Sequence, residues 1–201
     1  GKPVHPSATV DAFSLKPSIW SAVYRRDFLN RNAVRFLPTP GAAFQDASFT
    51  FKVFALADTA VYLHDSVLSY RQDNEGSSVN SPNKVHCVND EYAEIHRWIV
   101  EDYAETHSSL DVAKLLRFAN IIKYDSYMWS YIRLNPKFYA EFLDRMAQEF
   151  RGALEVHEFE LTDLKPWKRA NLKAIVNDPQ KWLTESEDFA GAGALGRARH
   201  Y

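Results

Sequence analysis

Apolar residues recur at helical spacing through most of the chain's second half and only in short runs through its first. Val88, Tyr92, Ile95, Ile99 and Tyr103 fall on one face of a predicted helix, with charged residues between them. A second helix is predicted after Asp111 from Val112, Leu115, Leu116, Ala119 and Ile122. Asn135 and Pro136 give the start signal of a third, a capping amide and a ring that presets φ, ahead of Phe138, Phe142, Met146 and Phe150. Thr162 and Asp163 predict another, with Pro166 in its first turn and Leu172, Ile175 and Val176 inside. Asp178 and Pro179 predict a last short helix, and the tail AGAGALGRARHY has no burial pattern.

The first half reads differently. Residues 1–15 look extended, like a segment leading out of earlier structure. SIWSAVY and VRFLP have strand chemistry, and RRDFLNRN between them suits a helical turn or two. PTPG is a turn. Phe49, Val53, Phe54 and Ala57 predict a helix over 46–57, and TAVYLHDSVLSYR then offers two short strand-like runs broken at His64 and Asp65. QDNEGSSVNSPN is a polar loop. The predicted fold class is α/β turning mostly α. Residues 1–84 form a small mixed half, 85–190 a helical subdomain and 191–201 a flexible tail. No internal repeat is evident. So few strands would not complete a sheet alone, so the first half is expected to use strands from elsewhere.

With 201 residues, of which 46% are hydrophobic, the chain can bury a real core, which excludes disorder throughout. Its 24 basic and 26 acidic residues leave a net charge of −2, so bulk electrostatics favour neither nucleic acid nor anionic lipid. One cysteine, Cys87, cannot form an internal disulfide, which fits a reducing, cytoplasmic setting. No apolar stretch is long enough to span a bilayer.

Asp46 carries two readings. An aspartate at a helix start accepts hydrogen bonds from free amides and contributes about 0.5–2 kcal/mol as a cap. The same geometry also holds a charged carboxylate open on one side, where it can take a proton from an incoming hydroxyl. With an ordinary pKa of about 3.9 it would be ionised at neutral pH. Pro40 and Gly41 shape the turn ahead of it, glycine accepting backbone angles that other residues resist.

Three blocks, PSIWSAVYRRDFL, VRFLPTPGAAFQDASFTFKVFALA and YRQDNEGSSVNSPNKVHCVNDEYAEI, occur in that order. Together, over about residues 17–105, they resemble the second half of a family 2 glycosyltransferase of the GT-A fold. The resemblance implies that Asp46, preceded by Gln45, is the catalytic base of an inverting sugar transfer. It also implies that Arg71, Gln72, Ser77 and Ser78 lie beside the donor diphosphate, where guanidinium and hydroxyl donors offset charge on the leaving group. Many relatives carry a His just after the Arg; Gln72 and Asp73 stand there instead, which argues against a metal ligand from this loop. Trp20, Ser21, Tyr24 and Gln45 become candidates for acceptor contact, an aromatic face being a common platform for a sugar ring.

An enzyme of this kind would also have a nucleotide-binding half ending in an Asp-x-Asp element that holds a divalent metal, Mg or Mn, on the diphosphate. This sequence contains no such element, so none of its residues is assigned to metal. The chain is expected to be the acceptor-side half of a larger enzyme, inactive alone. The implied partners are a nucleotide sugar and a saccharide or lipid-linked acceptor in surface polysaccharide synthesis, without nucleic acid. Work at the inner face of a membrane, peripheral attachment and a homo-oligomer all stay open.

Other signals carry less. A lone His64-Asp65 doublet is a weak mark of a metal phosphohydrolase, since the rest of such a ligand set lacks helical spacing. His86, His96 and His107 read as surface or rim residues, and Cys87 as a structural thiol. The second class of function is a helical interaction module, with Trp98, Tyr103, Tyr127 and Trp129 docking a partner.

Overall fold

A computed structural model describes residues 1–38, 44–66, 68–69 and 84–191. Those residues are mostly helical, with two short strands. The strands β1 (Pro3–Val4) and β2 (Ala60–Val61) pair antiparallel, Pro3 opposite Val61. The helices are α1 (Val10–Phe13), α2 (Arg26–Arg31), α3 (Gln45–Leu56), α4 (Cys87–Arg97), α5 (Ser109–Tyr131), α6 (Tyr139–Glu155), α7 (Pro166–Asn177) and α8 (Pro179–Gly191). A π-helical stretch, Trp98–Tyr103, continues α4.

The amphipathic pattern of the second half is realised directly. Phe142, Leu143, Met146 and Phe150 of α6 are wholly buried, with Ile95 and Ile99 from the α4 segment and Leu115 and Tyr127 from α5. Each such side chain stabilises the fold by about 1.5–3 kcal/mol through its removal from water. Asn171 ties α7 to two other helices. Its Nδ2 donates to the Tyr124 hydroxyl at 2.8 Å, and its Oδ1 accepts from Trp182 Nε1 at 2.8 Å.

Several expectations are corrected. Residues 1–15 do not simply lead away: Phe13 is buried, 4.8 Å from the Phe51 ring and 5.6 Å from the Phe118 ring. SIWSAVY forms a 3-10 turn, Ile19–Ser21, rather than a strand. VRFLP is irregular; Arg35 turns back to the Leu29 and Val34 carbonyls, and Phe36 stacks on Phe49 at 4.3 Å. A β-prone run without a neighbouring strand has nowhere to place its amides, and among the described residues the sheet holds only β1 and β2. Of the two strand-like runs after α3, β2 is realised, and part of the second lies outside the described residues.

The helix starts shift as well. α5 begins before Asp111, because the Ser108 hydroxyl caps it by accepting from the Asp111 amide at 3.2 Å. Asp163 belongs to a separate 3-10 turn, Leu161–Asp163, closed by the Glu160 amide donating to Asp163 Oδ2 at 3.0 Å. Helix α7 waits for Pro166, since the residue before a proline is held extended, as Lys165 is with ψ 148.

Helix α3 is apolar on two sides. Phe51 and Ala55 join the main core with residues from α1 and α4–α7. Phe49 and Val53 face the other way, forming a smaller cluster with Val34 that Ile19, Tyr24, Phe28 and Leu29 flank. Ser48 and Lys52, one turn apart, meet α4. The main core therefore crosses residue 84, joining Phe13, Phe51 and Ala55 to the helices that follow.

Candidate functional site

Asp46 is not the cap of α3. Position N-cap is Phe44, whose φ of 56 is left-handed and whose side chain makes no capping bond. The left-handed backbone turns the chain sharply into the helix, and the Ala47 amide closes the first turn on the Phe44 carbonyl at 2.9 Å. Asp46 follows at the second helical position, half-buried. Burial raises its pKa above the ordinary aspartate value, and bonds from its own amide and that of Ala47, with the charge of Lys16, pull partly back. The carboxylate is thus oriented by helix amides while burial makes it more basic than a surface aspartate. Both properties suit a proton acceptor.

Glu91, which sequence reasoning passed over, fulfils the capping function from α4. Its residue is completely buried, and its Oε2 accepts from the Ser48 amide at 3.2 Å. One turn further on, Lys52 Nζ lies 2.5 Å from Glu94 Oε1, and Arg97 holds the same carboxylate through Nε at 2.8 Å and Nη2 at 2.9 Å. The first turn of α3 is therefore fastened to α4 by two successive carboxylates. The one local hint was the spacing of Glu91 and Glu94 on one helix face opposite Ser48 and Lys52.

The acceptor candidates are divided. Gln45 stands beside Asp46 in the first turn of α3, half-buried. Tyr24 packs edge-on against Phe49 of α3 at 5.4 Å, and burial raises the pKa of its phenol. Trp20 sits in the exposed turn Ile19–Ser21, and the Ser21 hydroxyl donates to the Ser18 carbonyl at 2.8 Å. Through Tyr24 this segment joins the side of α3 that carries Phe49. Arg71, Gln72, Ser77 and Ser78, and the turn residues Pro40 and Gly41, lie outside the described residues.

The aromatic residues considered as a docking face are engaged internally. Trp98, Tyr103 and Tyr127 are buried in the main core, and Trp129 packs edge-on with Phe44 at 5.9 Å while Arg133 covers its ring at 3.8 Å. Of the four, only Trp129 stays half-buried rather than buried. The histidines pair locally: His86 Nε2 lies 2.5 Å from Glu141 Oε1, His96 Nε2 lies 2.7 Å from Glu158 Oε1, and His107 stacks on Tyr103 at 3.6 Å. Cys87 is half-buried, and burial pushes its thiol up, away from reactivity.

A cavity of about 370 Å³ opens between α4, α5 and α6, lined in part by Tyr92, His96, Asn120, Lys123, Glu149 and Glu158. Trp20, Ser21, Tyr24, Gln45 and Asp46 are not among its lining residues. Among the described residues no cluster of three or more His, Cys, Asp or Glu side chains fits a metal ion. No helix among them is long and apolar enough to cross a membrane. No family model, no curated protein and no solved structure matches the chain.

Proposed function

We propose that this chain is the acceptor-side part of an inverting nucleotide-sugar glycosyltransferase, a partial GT-A fold continued by a helical subdomain, with Asp46 as general base. The observation that carries it is Asp46 itself: a half-buried carboxylate in the first turn of α3, bonded by helix amides and made more basic by burial. The order of the three sequence blocks around it supports the same assignment.

In the reaction, Asp46 accepts the proton of an acceptor hydroxyl as that oxygen attacks the anomeric carbon. The new glycosidic C–O bond forms on the face opposite the leaving group, the old C–O bond breaks, and the nucleoside diphosphate departs with the bonding electrons. A positioned base contributes about 10²–10⁴ in rate to such a step. Arg71, Ser77 and Ser78 would stabilise the departing diphosphate, while Gln45, Trp20 and Tyr24 would border the acceptor. A divalent metal would come from outside this sequence. Exposed Trp20, Val23, Phe36 and Leu63 support a further wall on the same half of the chain, where a nucleotide-binding part would pack. Nucleotide sugars as donors put the chemistry in the cytoplasm, with a lipid-linked acceptor presented at the inner face of a membrane.

The test is Asp46→Asn in an enzyme assembled with its nucleotide-binding part. Turnover is expected to fall by about 10²-fold or more while nucleotide-sugar affinity stays within about twofold. A change in turnover below about threefold would overturn the assignment of Asp46 as base.

A further inference from the structure

Helix α3 begins without a side-chain cap of its own, since Phe44 contributes none. The Ser48 amide would ordinarily close on the Phe44 carbonyl, yet the Ala47 amide takes that carbonyl and Ser48 donates to Glu91 Oε2 on α4, 43 residues away. Glu91 is 0% exposed, and its second oxygen, Oε1, is buried without a hydrogen-bond partner. A buried carboxyl oxygen left without a partner costs free energy. The amide that Glu91 holds, that of Ser48, lies two residues along α3 from Asp46.

We propose that Glu91 is the positioning residue for Asp46: through the Ser48 amide it fixes the first turn of α3 and so the direction in which Asp46 is presented. The role rests on Asp46 being the general base. The two carboxyls also communicate by charge. Burial raises the pKa of Glu91, and the negative charge of Asp46 raises it further against the pull of Ser48 and Lys52. Burial thus holds both carboxyls above their ordinary range. Of the other charged groups, Lys16 before α2 acts on Asp46 and Lys52 on α3 acts on Glu91, while Asp90 and Glu94 are the neighbouring carboxylates along α4. Glu94 is held by Lys52 and Arg97, and Asp90 by Arg145 of α6 at 3.2 Å. From α5, Lys123 is engaged with Glu149 at 2.7 Å and Asp125 with Lys168 at 2.5 Å.

The experiment uses NMR on the 201-residue chain and its Glu91→Ala, Glu91→Gln and Asp46→Asn variants. In Glu91→Ala the Ser48 amide is expected to exchange about tenfold faster, and the Asp46 χ1 couplings to average over rotamers. Glu91→Gln keeps an acceptor of the same shape and is expected to restore both to parental values. In Asp46→Asn the titration midpoint of Glu91 is expected to fall by about half a pH unit or more. A Glu91→Ala protein with parental Ser48 exchange and Asp46 couplings overturns the proposal, as does a Glu91 midpoint that stays put in Asp46→Asn. Should Glu91→Ala fail to fold, the Glu91 midpoint decides. None of these readouts needs turnover, so they stand or fall separately from the transferase assignment.

Discussion

Lys52 Nζ and Glu94 Oε1 meet at 2.5 Å where α3 crosses α4, with side chains only 8% and 12% exposed. The pair is unequal. Glu94 is held a second time by Arg97, and although burial alone would raise its pKa, the bonds from Arg97 and Lys52 outweigh it and hold the carboxyl below its ordinary value. Glu94→Gln would leave the Lys52 ammonium buried without its anion, at a cost of about 3–5 kcal/mol. Lys52→Met keeps the apolar stem and leaves Glu94 with Arg97, so it is expected to cost less, about 1–2 kcal/mol. Urea denaturation of both variants checks the order, and a larger loss for Lys52→Met would refute it.

A second ion pair gives stability a pH dependence near neutrality. The hydrogen bond from His96 to Glu158, opposed by burial, raises the imidazole pKa. Folding therefore favours the protonated ring. Its contribution is complete below the unfolded value of about 6.5 and is lost as pH rises through the folded one. Glu158→Gln is expected to remove that share of the decline in melting temperature between about pH 6 and about pH 8. An identical slope in parent and variant would show that the pair does nothing for the fold. Because the His96 side chain is 48% exposed, the effect will be modest and weakened by salt.

How far such features can be read in advance depends on how local they are. Phe142, Met146 and Phe150 announce α6 because one stripe at helical spacing faces one core. Helix α3 is half legible: Phe49 and Val53 point to one cluster and Phe51 and Ala55 to another, so no single stripe marks which side matters. Asp46 stood out because a charged residue opens an apolar run. Glu91 did not, since the amide it caps lies 43 residues away and only the packing of α3 on α4 brings them together. The expected strands at 18–24 and 34–38 failed for a related reason. Side-chain propensity favours an extended chain, but a strand also needs a neighbour, and propensity says nothing of that.

Phe44 holds a conformation that costs a non-glycine residue about 1–2 kcal/mol, with φ at 56, while its ring packs edge-on against Trp129 at 5.9 Å. The two effects separate by substitution. Phe44→Ala loses the ring and keeps the backbone strain, whereas Phe44→Gly loses the ring and releases it. Phe44→Gly is expected to be more stable than Phe44→Ala by about 1 kcal/mol, measured by chemical denaturation. Equal stabilities would mean that the left-handed turn before α3 is not held against a penalty.

Asp46 makes the sharpest distinction between a cap and a base, because the two roles predict opposite effects on stability. A surface aspartate in the first turn of a helix has its charge favoured by the dipole, and replacing it with Asn costs about 0.3–1 kcal/mol at neutral pH. Here burial raises the Asp46 pKa despite the amide bonds and Lys16. Its unfolded form therefore loses the proton first, and stability falls as pH climbs from the unfolded value towards the folded one. Asp46→Asn removes that penalty. It is expected to unfold at higher urea than the parent at pH 7, with the advantage disappearing once pH drops below about 3, where both states are protonated. A carboxylate ionised against the preference of the fold is what the proposed role as base predicts. A variant less stable than the parent at pH 7, with the deficit shrinking in acid, would mark Asp46 as an ordinary helix-terminal charge.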